Sequence, residues 1–313
     1  MGAFLHAVAV FFEHLAEVKW TALGLALACH AAKLLFRARA WQNILRASYP
    51  GNSLRYRSTL GAYVAGVGVN SIAPARGGDV VKLYLVRHRM EEARYPTLAA
   101  SLAVETMFDF FIAGALMIWA LSIGVLPTHE VYSRIPTVDW KFFLRHERAT
   151  LIGLGVLALL AVIAFVWARR RVRGFWERVR LGFAILGDRR AFVLGVIVPQ
   201  AISWVLRIAT LYFFLEAFGV RATVHNALLA QVVESLATLF PATPGGAGTK
   251  QGLIVFLFRN SAISNALLLA FSVGMNIAIT VANLLMGILA IGLMARTLSF
   301  KRLRSRARTE QTA

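Results

Sequence analysis

The sequence predicts an all-α polytopic membrane protein made of two inverted halves, each interrupted by a broken pair of short helices, with about six to eight membrane segments. Three observations predict it: an apolar content too high for a soluble domain, apolar runs long enough to cross a bilayer, and proline- and glycine-rich breaks at matching places in the halves. Of 313 residues, 58% are hydrophobic and mean hydropathy is +0.64, whereas soluble domains are roughly 45–50% apolar. The uncharged run 266–295 exceeds the ~20 residues that cross a bilayer as helix, and 149–168 is a second run of suitable length.

Apolar segments fall at 19–36, 59–75, 79–86, 97–126, 149–168, 191–218, 226–241, 249–258 and 266–295. Several are too short to cross alone. The second and third are separated only by residues 74–78, Pro-Ala-Arg-Gly-Gly, and 226–241 from 249–258 by a stretch containing Pro241, Pro244, Gly245, Gly246 and Gly248. Proline ends helices and glycine frees the backbone, so each pair reads as two half-helices joined at a break. Gly77-Gly78 and Gly245-Gly246 lie 168 apart, Pro74 and Pro241 167 apart, and Lys33–Arg37 precedes Ser203–Arg207 by 170. Landmarks in the same order at nearly one offset define an internal repeat of about 100 residues. The expected organisation is an amphipathic or first transmembrane helix (1–18), a first membrane repeat (19–126), a connecting span with a basic cytoplasmic loop (127–190), a second repeat (191–295) and a basic cytoplasmic tail (296–313).

Charge orients the chain. There are 34 Lys+Arg against 15 Asp+Glu, formally +19. The basic residues sit between apolar spans, which favours a membrane protein's cytoplasmic loops over nucleic-acid binding. Residues 37–57, 87–94, 169–190 and 296–308 hold 22 of the 34, and the opposite loops only six. With the first set inside, an odd number of spans separates equivalent helices, so the second half is upside down. Full crossing by each short segment balances the charges equally well; segment length and the breaks favour re-entry. Broken helices at matching positions of inverted halves point to a transport site near the midplane. The basic loop and tail are expected to meet anionic headgroups.

Ionisable residues at membrane depth are functional candidates. Thr97, Ser101, Glu105 and Asp109 share one helix face, and so do Ser272, Asn276, Thr280 and Asn283, which also fit a polar seam between helices. Two carboxylates one turn apart need a partner; Lys33, Arg37 and Arg76 are available. The first break supplies Asn70, Arg76, Gly77, Gly78, Asp79 and Lys82. Arg76 has the fork that grips phosphate, with the amides of Gly77 and Gly78 as further donors; it could equally close the turn on Asp79. The second break supplies Glu234, Pro244, Gly245, Gly246 and Lys250, with Lys250 or Arg207 to neutralise Glu234. The glycine turn before Lys250 lacks phosphate-loop spacing. One cysteine, Cys29, and seven scattered histidines show no metal spacing, and no catalytic constellation is readable. No cofactor and no catalysis are expected.

At the two breaks, residues 70–79 (Asn-Ser-Ile-Ala-Pro-Ala-Arg-Gly-Gly-Asp) and 234–248 (Glu-Ser-Leu-Ala-Thr-Leu-Phe-Pro-Ala-Thr-Pro-Gly-Gly-Ala-Gly) resemble the lysylphosphatidylglycerol synthase transmembrane, or flippase-like, family; Arg37 and Trp41 fit its early helix. The resemblance covers roughly 19–295. It implies a prokaryotic plasma-membrane protein. Larger members fuse this region to a soluble domain that aminoacylates phosphatidylglycerol, and the membrane region flips the product. The sequence ends soon after the last span, so the lipid-handling half is what the resemblance is expected to carry over. The family often has an arginine after the acid at position 105, where Thr106 stands here. The expected function is a lipid translocase or lipid-binding transporter for an anionic or phosphate-containing lipid. The alternatives are an accessory membrane subunit scaffolding a lipid- or glycan-synthesising enzyme, and an enzyme acting on headgroups through Glu105, Asp109 and His88.

Overall fold

The computed structural model describes residues 17–51, 54–73, 76–90, 92–124, 177–239, 249–258 and 263–311. The expected helix at 1–18 therefore lies outside the described residues up to Ala16, as do the span at 149–168, Pro74 and the whole turn carrying Pro241, Pro244, Gly245 and Gly246.

Eight helices carry the architecture among the described residues. They are α1 (Trp20–Ser48), α2 (Tyr56–Asn70), α3 (Gly77–Arg89), α4 (Tyr95–Ser122), α5 (Arg189–Ala217), α6 (Val224–Leu239), α7 (Thr249–Leu257) and α8 (Asn265–Gln311). Four of them, α1, α4, α5 and α8, are long and apolar enough to cross a membrane. The 15 residues of α2 rise about 22 Å at 1.5 Å each, short of the ~30 Å apolar thickness. The order long, short, short, long occurs twice. Equivalent helices start at a nearly constant offset, Trp20 with Arg189, Tyr56 with Val224, Gly77 with Thr249 and Tyr95 with Asn265.

The two halves are inverted. Helices α1 and α5, equivalent by position, form the central pair and run antiparallel: Lys19 N–H donates to the Ala217 carbonyl at 2.9 Å, and Asn43 Nδ2 to the Gly195 carbonyl at 2.8 Å. The start of one thus meets the end of the other, and their midpoints cross near Leu34 and Ser203. Other contacts exchange partners in the same way, α1 with α2 as α5 with α6, and α2 with α8 as α6 with α4.

Each short pair is an antiparallel hairpin. In the first, Gly66 and Gly78 bring α2 and α3 so close that a Cβ on either would strike the other's carbonyl oxygen. Its tip reaches the bundle interior, where Ser71 Oγ accepts from Asn283 of α8 and that amide accepts from His30, midway along α1. The α2–α8 seam is equally tight: a Cβ built on Gly68 would lie 2.9 Å from Gly287 Cα. Large side chains fill the rest. Trp41, Leu45 and Met90 pack the first half, and Phe214, Leu268 and Phe271 the second.

Two features depart from the sequence reading. The charge pattern assigns residues 37–57 to a cytoplasmic loop, but α1 continues to Ser48 with Arg37 inside the bundle, because the carboxylates of Glu105 and Asp109 satisfy its charge. The tail to Gln311 continues α8. Helix α5 also contains a π turn over Val193–Ile197. Pro199 has no N–H to offer the Gly195 carbonyl four residues earlier, so the helix widens there and Asn43 supplies the donor.

This antiparallel register is testable. A Cβ at residue 195 would stand 3.4 Å from that of Asn43, near disulfide range. In a Cys29→Ser background, Asn43→Cys with Gly195→Cys is expected to cross-link on mild oxidation, and pairing residue 43 with Ala217→Cys is not.

Candidate functional site

Arg37 lies at the level where α1 crosses α5, and three helices converge on it. Its Nη2 donates to Glu105 Oε1 at 2.7 Å and to Asp109 Oδ2 at 2.6 Å, its Nη1 to Asp109 Oδ1 at 3.1 Å, and its Nε to Glu105 Oε1 and the Tyr63 hydroxyl. Tyr63 donates in turn to Glu105 Oε1 at 2.6 Å, and Trp204 Nε1 donates to Asp109 Oδ1 at 2.8 Å. Of the three partners proposed for the carboxylates, the structure selects Arg37. The four-residue spacing on α4 is what brings two acids to one guanidinium. The rest of that face is also engaged: Ser101 accepts from Trp41 Nε1 and Thr97 donates to the Arg178 carbonyl.

The first hairpin tip joins this cluster. Lys82, 6% exposed, pairs with Asp79 at 3.0 Å and stands 4.2 Å from the Tyr63 ring centroid. A polar path therefore runs from Asp79 through Lys82, Tyr63, Glu105 and Arg37 to Asp109 and Trp204. Asn70 receives the Gly78 amide at 2.7 Å and donates to Asp79 at 3.2 Å, so that amide is already used within the turn. Gly77 opens α3 beside it. Arg76, the one non-glycine residue with positive φ (58°) among those described, is exposed and closes on Asp79 at 3.3 Å. Of its two expected roles, this structure displays the local one.

In the second hairpin Lys250 pairs with Glu234 at 2.8 Å, and the other carboxylate oxygen is buried with no hydrogen-bond partner among the described residues. Lys82 and Lys250 occupy equivalent positions, related by the same offset as Gly77-Gly78 and Gly245-Gly246.

Two cations differ from the rest. Among the described residues Lys33 Nζ has only His30 Nδ1, at 3.1 Å, and the Arg207 guanidinium only the face of Trp204, 4.9 Å from its centroid. Neither has a carboxylate within 4.0 Å among the described residues; Asp109 and Glu234 act on both at longer range. Arg207 is the positional counterpart of Arg37. Its freedom has a simple cause. The offset that relates Arg37 to Arg207 carries Glu105 onto Met275 and Asp109 onto Ile279, so α8 presents no acid where α4 presents two. The sequence reading missed Tyr63, Trp204 and His30 as site members and kept Arg37 and Lys33 only as counter-ions. Their signal was present in the lysine and arginine inside an apolar helix.

The profile of the family described as the lysylphosphatidylglycerol synthase TM region matches residues 3–287. The chain belongs to this family. It is 27% identical over 244 residues to a UPF0104 membrane protein of Methanothermobacter thermautotrophicus, covering 71% of this chain and 69% of that one. A second such protein of that organism is 24% identical, covering 64% of each. Glycosyltransferase AglD of Haloferax volcanii is 28% identical over 276 residues, 72% of this chain but 44% of the relative, so the likeness spans less than half of that protein. No solved structure matches. The family member described here is thus a multi-pass membrane protein.

Removing Arg37 strands two acids, so Arg37→Met is expected to lower stability by about 3–5 kcal/mol, whereas Glu105→Met, which leaves Arg37 paired with Asp109, is expected to cost about 1–3 kcal/mol, both read by denaturation in detergent micelles.

Proposed function

We propose that this protein binds and translocates a lipid with an anionic, phosphate-containing headgroup, and that Lys33 and Arg207 receive the phosphate. The carrying observation is the pair of cations at membrane depth that no described carboxylate neutralises. Such charges are costly unless something compensates them. With every group in its ordinary charge state, the interior cations Lys33, Arg37, Arg207 and Lys250 exceed Glu105, Asp109 and Glu234 by one, which one phosphodiester would balance. The guanidinium fork suits phosphate oxygens and the lysine supplies a point charge.

Arg37, saturated by its acids, holds the frame, while the hairpin residues Asn70, Arg76, Gly77, Gly78, Asp79, Lys82, Glu234 and Lys250 border the headgroup's path. The hydrocarbon stays against apolar surface on the membrane side of the bundle. The arginine-rich 169–190 stretch and the C-terminal tail lie on the cytoplasmic face of a prokaryotic plasma membrane and meet anionic lipid there. This reading assigns the protein no covalent chemistry.

The glycosyltransferase relative favours one second reading, an accessory subunit of a lipid- or glycan-synthesising enzyme. A stoichiometric enzyme partner after gentle solubilisation, with unchanged lipid movement in vesicles, would support that instead.

In reconstituted vesicles, wild type is expected to speed headgroup exposure of labelled anionic phospholipids or polyprenyl phosphates over zwitterionic lipid. Arg207→Ala should slow it roughly tenfold, the effect of one charge-assisted bond. Equal rates with and without protein, or with and without Arg207, would overturn the reading.

A further inference from the structure

We infer that the apolar groove between α4, α5 and α6 seats one hydrocarbon chain of the lipid whose phosphate Lys33 and Arg207 hold. This rests on the headgroup reading above and extends it to the part of the molecule that cations cannot recognise. The groove encloses about 540 Å³ and is walled by Ile112 and Leu116 of α4, Trp204, Ile208 and Tyr212 of α5 and Leu228 of α6. That volume is in the range of small-molecule sites. Its lining offers water almost nothing to bond, whereas an alkyl chain gains dispersion contact along its whole length.

Trp204 ties the groove to the charged centre. Its ring is one wall of the groove, its N–H is held by Asp109, and the Arg207 guanidinium stands over its face. A chain lying in the groove ends against the same indole that carries the free cation. Headgroup and tail of a single molecule therefore fit around one side chain, with charge complementarity at one end and apolar complementarity at the other.

The repeat gives this groove its meaning. Exchange of the halves turns the α4–α6 seam into the α8–α2 seam. There Gly68 and Gly287 meet backbone to backbone, and not even a Cβ fits. The α2–α8 seam is closed at the level of Gly68 and Gly287, whereas the α4–α6 side carries the groove. The groove runs beside the second half of α5 and the first turns of α6, the ends of those helices remote from the arginine-rich stretch before Arg189. The chain thus enters from the leaflet on that side.

The test compares purified full-length wild type, Leu228→Trp, Ile208→Trp and Arg207→Ala for binding of phosphatidylglycerol and of glycerol phosphate, the same headgroup chemistry without chains. Either tryptophan fills the groove, and two variants with native elution and circular dichroism guard against a folding defect in one. Expected is a loss of roughly tenfold or more in phosphatidylglycerol affinity with glycerol phosphate binding unchanged, while Arg207→Ala weakens both. Unchanged phosphatidylglycerol binding in both tryptophan variants overturns the groove and leaves the headgroup reading standing. Unchanged binding of both ligands in Arg207→Ala overturns the headgroup reading itself. A benzophenone amino acid at position 228 adds a direct readout. Adducts to lipid support the assignment; adducts to residues 127–176 of the same chain, or to a second copy, show that protein occupies the groove and overturn it.

Discussion

A single arginine bound by two carboxylates organises this membrane bundle. Arg37 comes from α1, its acids from α4, the hydroxyl shared with Glu105 from α2, and the indole that steadies Asp109 from α5. In hydrocarbon no solvent stands ready to replace any of these partners, so the four helices are constrained together at one point. That point lies where the equivalent helices α1 and α5 cross, which makes it the place where a difference between the halves has most effect. The first half saturates its arginine, and among the described residues the second leaves Arg207 without an acid within 4.0 Å, because α8 carries Met275 and Ile279 instead. An approximate symmetry of backbone is thus paired with a strong asymmetry of charge.

Much of this was legible in the residues. Apolar run length gave the long helices, and the proline and glycine breaks gave the hairpins. The common offset gave the repeat, and its inversion appears in the antiparallel meeting of Lys19 with Ala217 and Asn43 with Gly195. The acids at 105 and 109 were recognisable as needing a cation, and Arg37 was among the three available. What could not be read was which side chains meet across long sequence separations. His30 and Asn283 are 253 residues apart, and nothing local marks them as partners. Tyr63 and Trp204 look like ordinary members of apolar helices, since the polar atom of each is a small part of a large apolar side chain. The true end of α1 was hidden for a related reason. Arginines normally signal the membrane edge, and Arg37 breaks that rule because the buried Glu105 and the half-buried Asp109 await it.

The hairpins add a second kind of constraint. The tip of the first is built of short side chains that bond to the turn itself and to its neighbours, with Asn70 receiving Gly78 and Ser71 receiving Asn283. Backbone that is not helical survives at membrane depth only when enclosed by protein or beside a polar cavity. The tip meets that condition through α8 and α1, and its left-handed Arg76 holds a conformation that costs about 1–2 kcal/mol in return for closing on Asp79.

The π turn in α5 sets the phase of everything beyond it. One wide turn holds about one residue more than an α-turn, so the helix downstream is rotated by roughly 100° relative to an unbroken one. Ser203, Trp204 and Arg207 face the bundle because of that rotation. Were the extra residue absent, the same sequence would present the indole and the guanidinium to the fatty exterior, and the molecule would lose its unneutralised charge without a single substitution in the site.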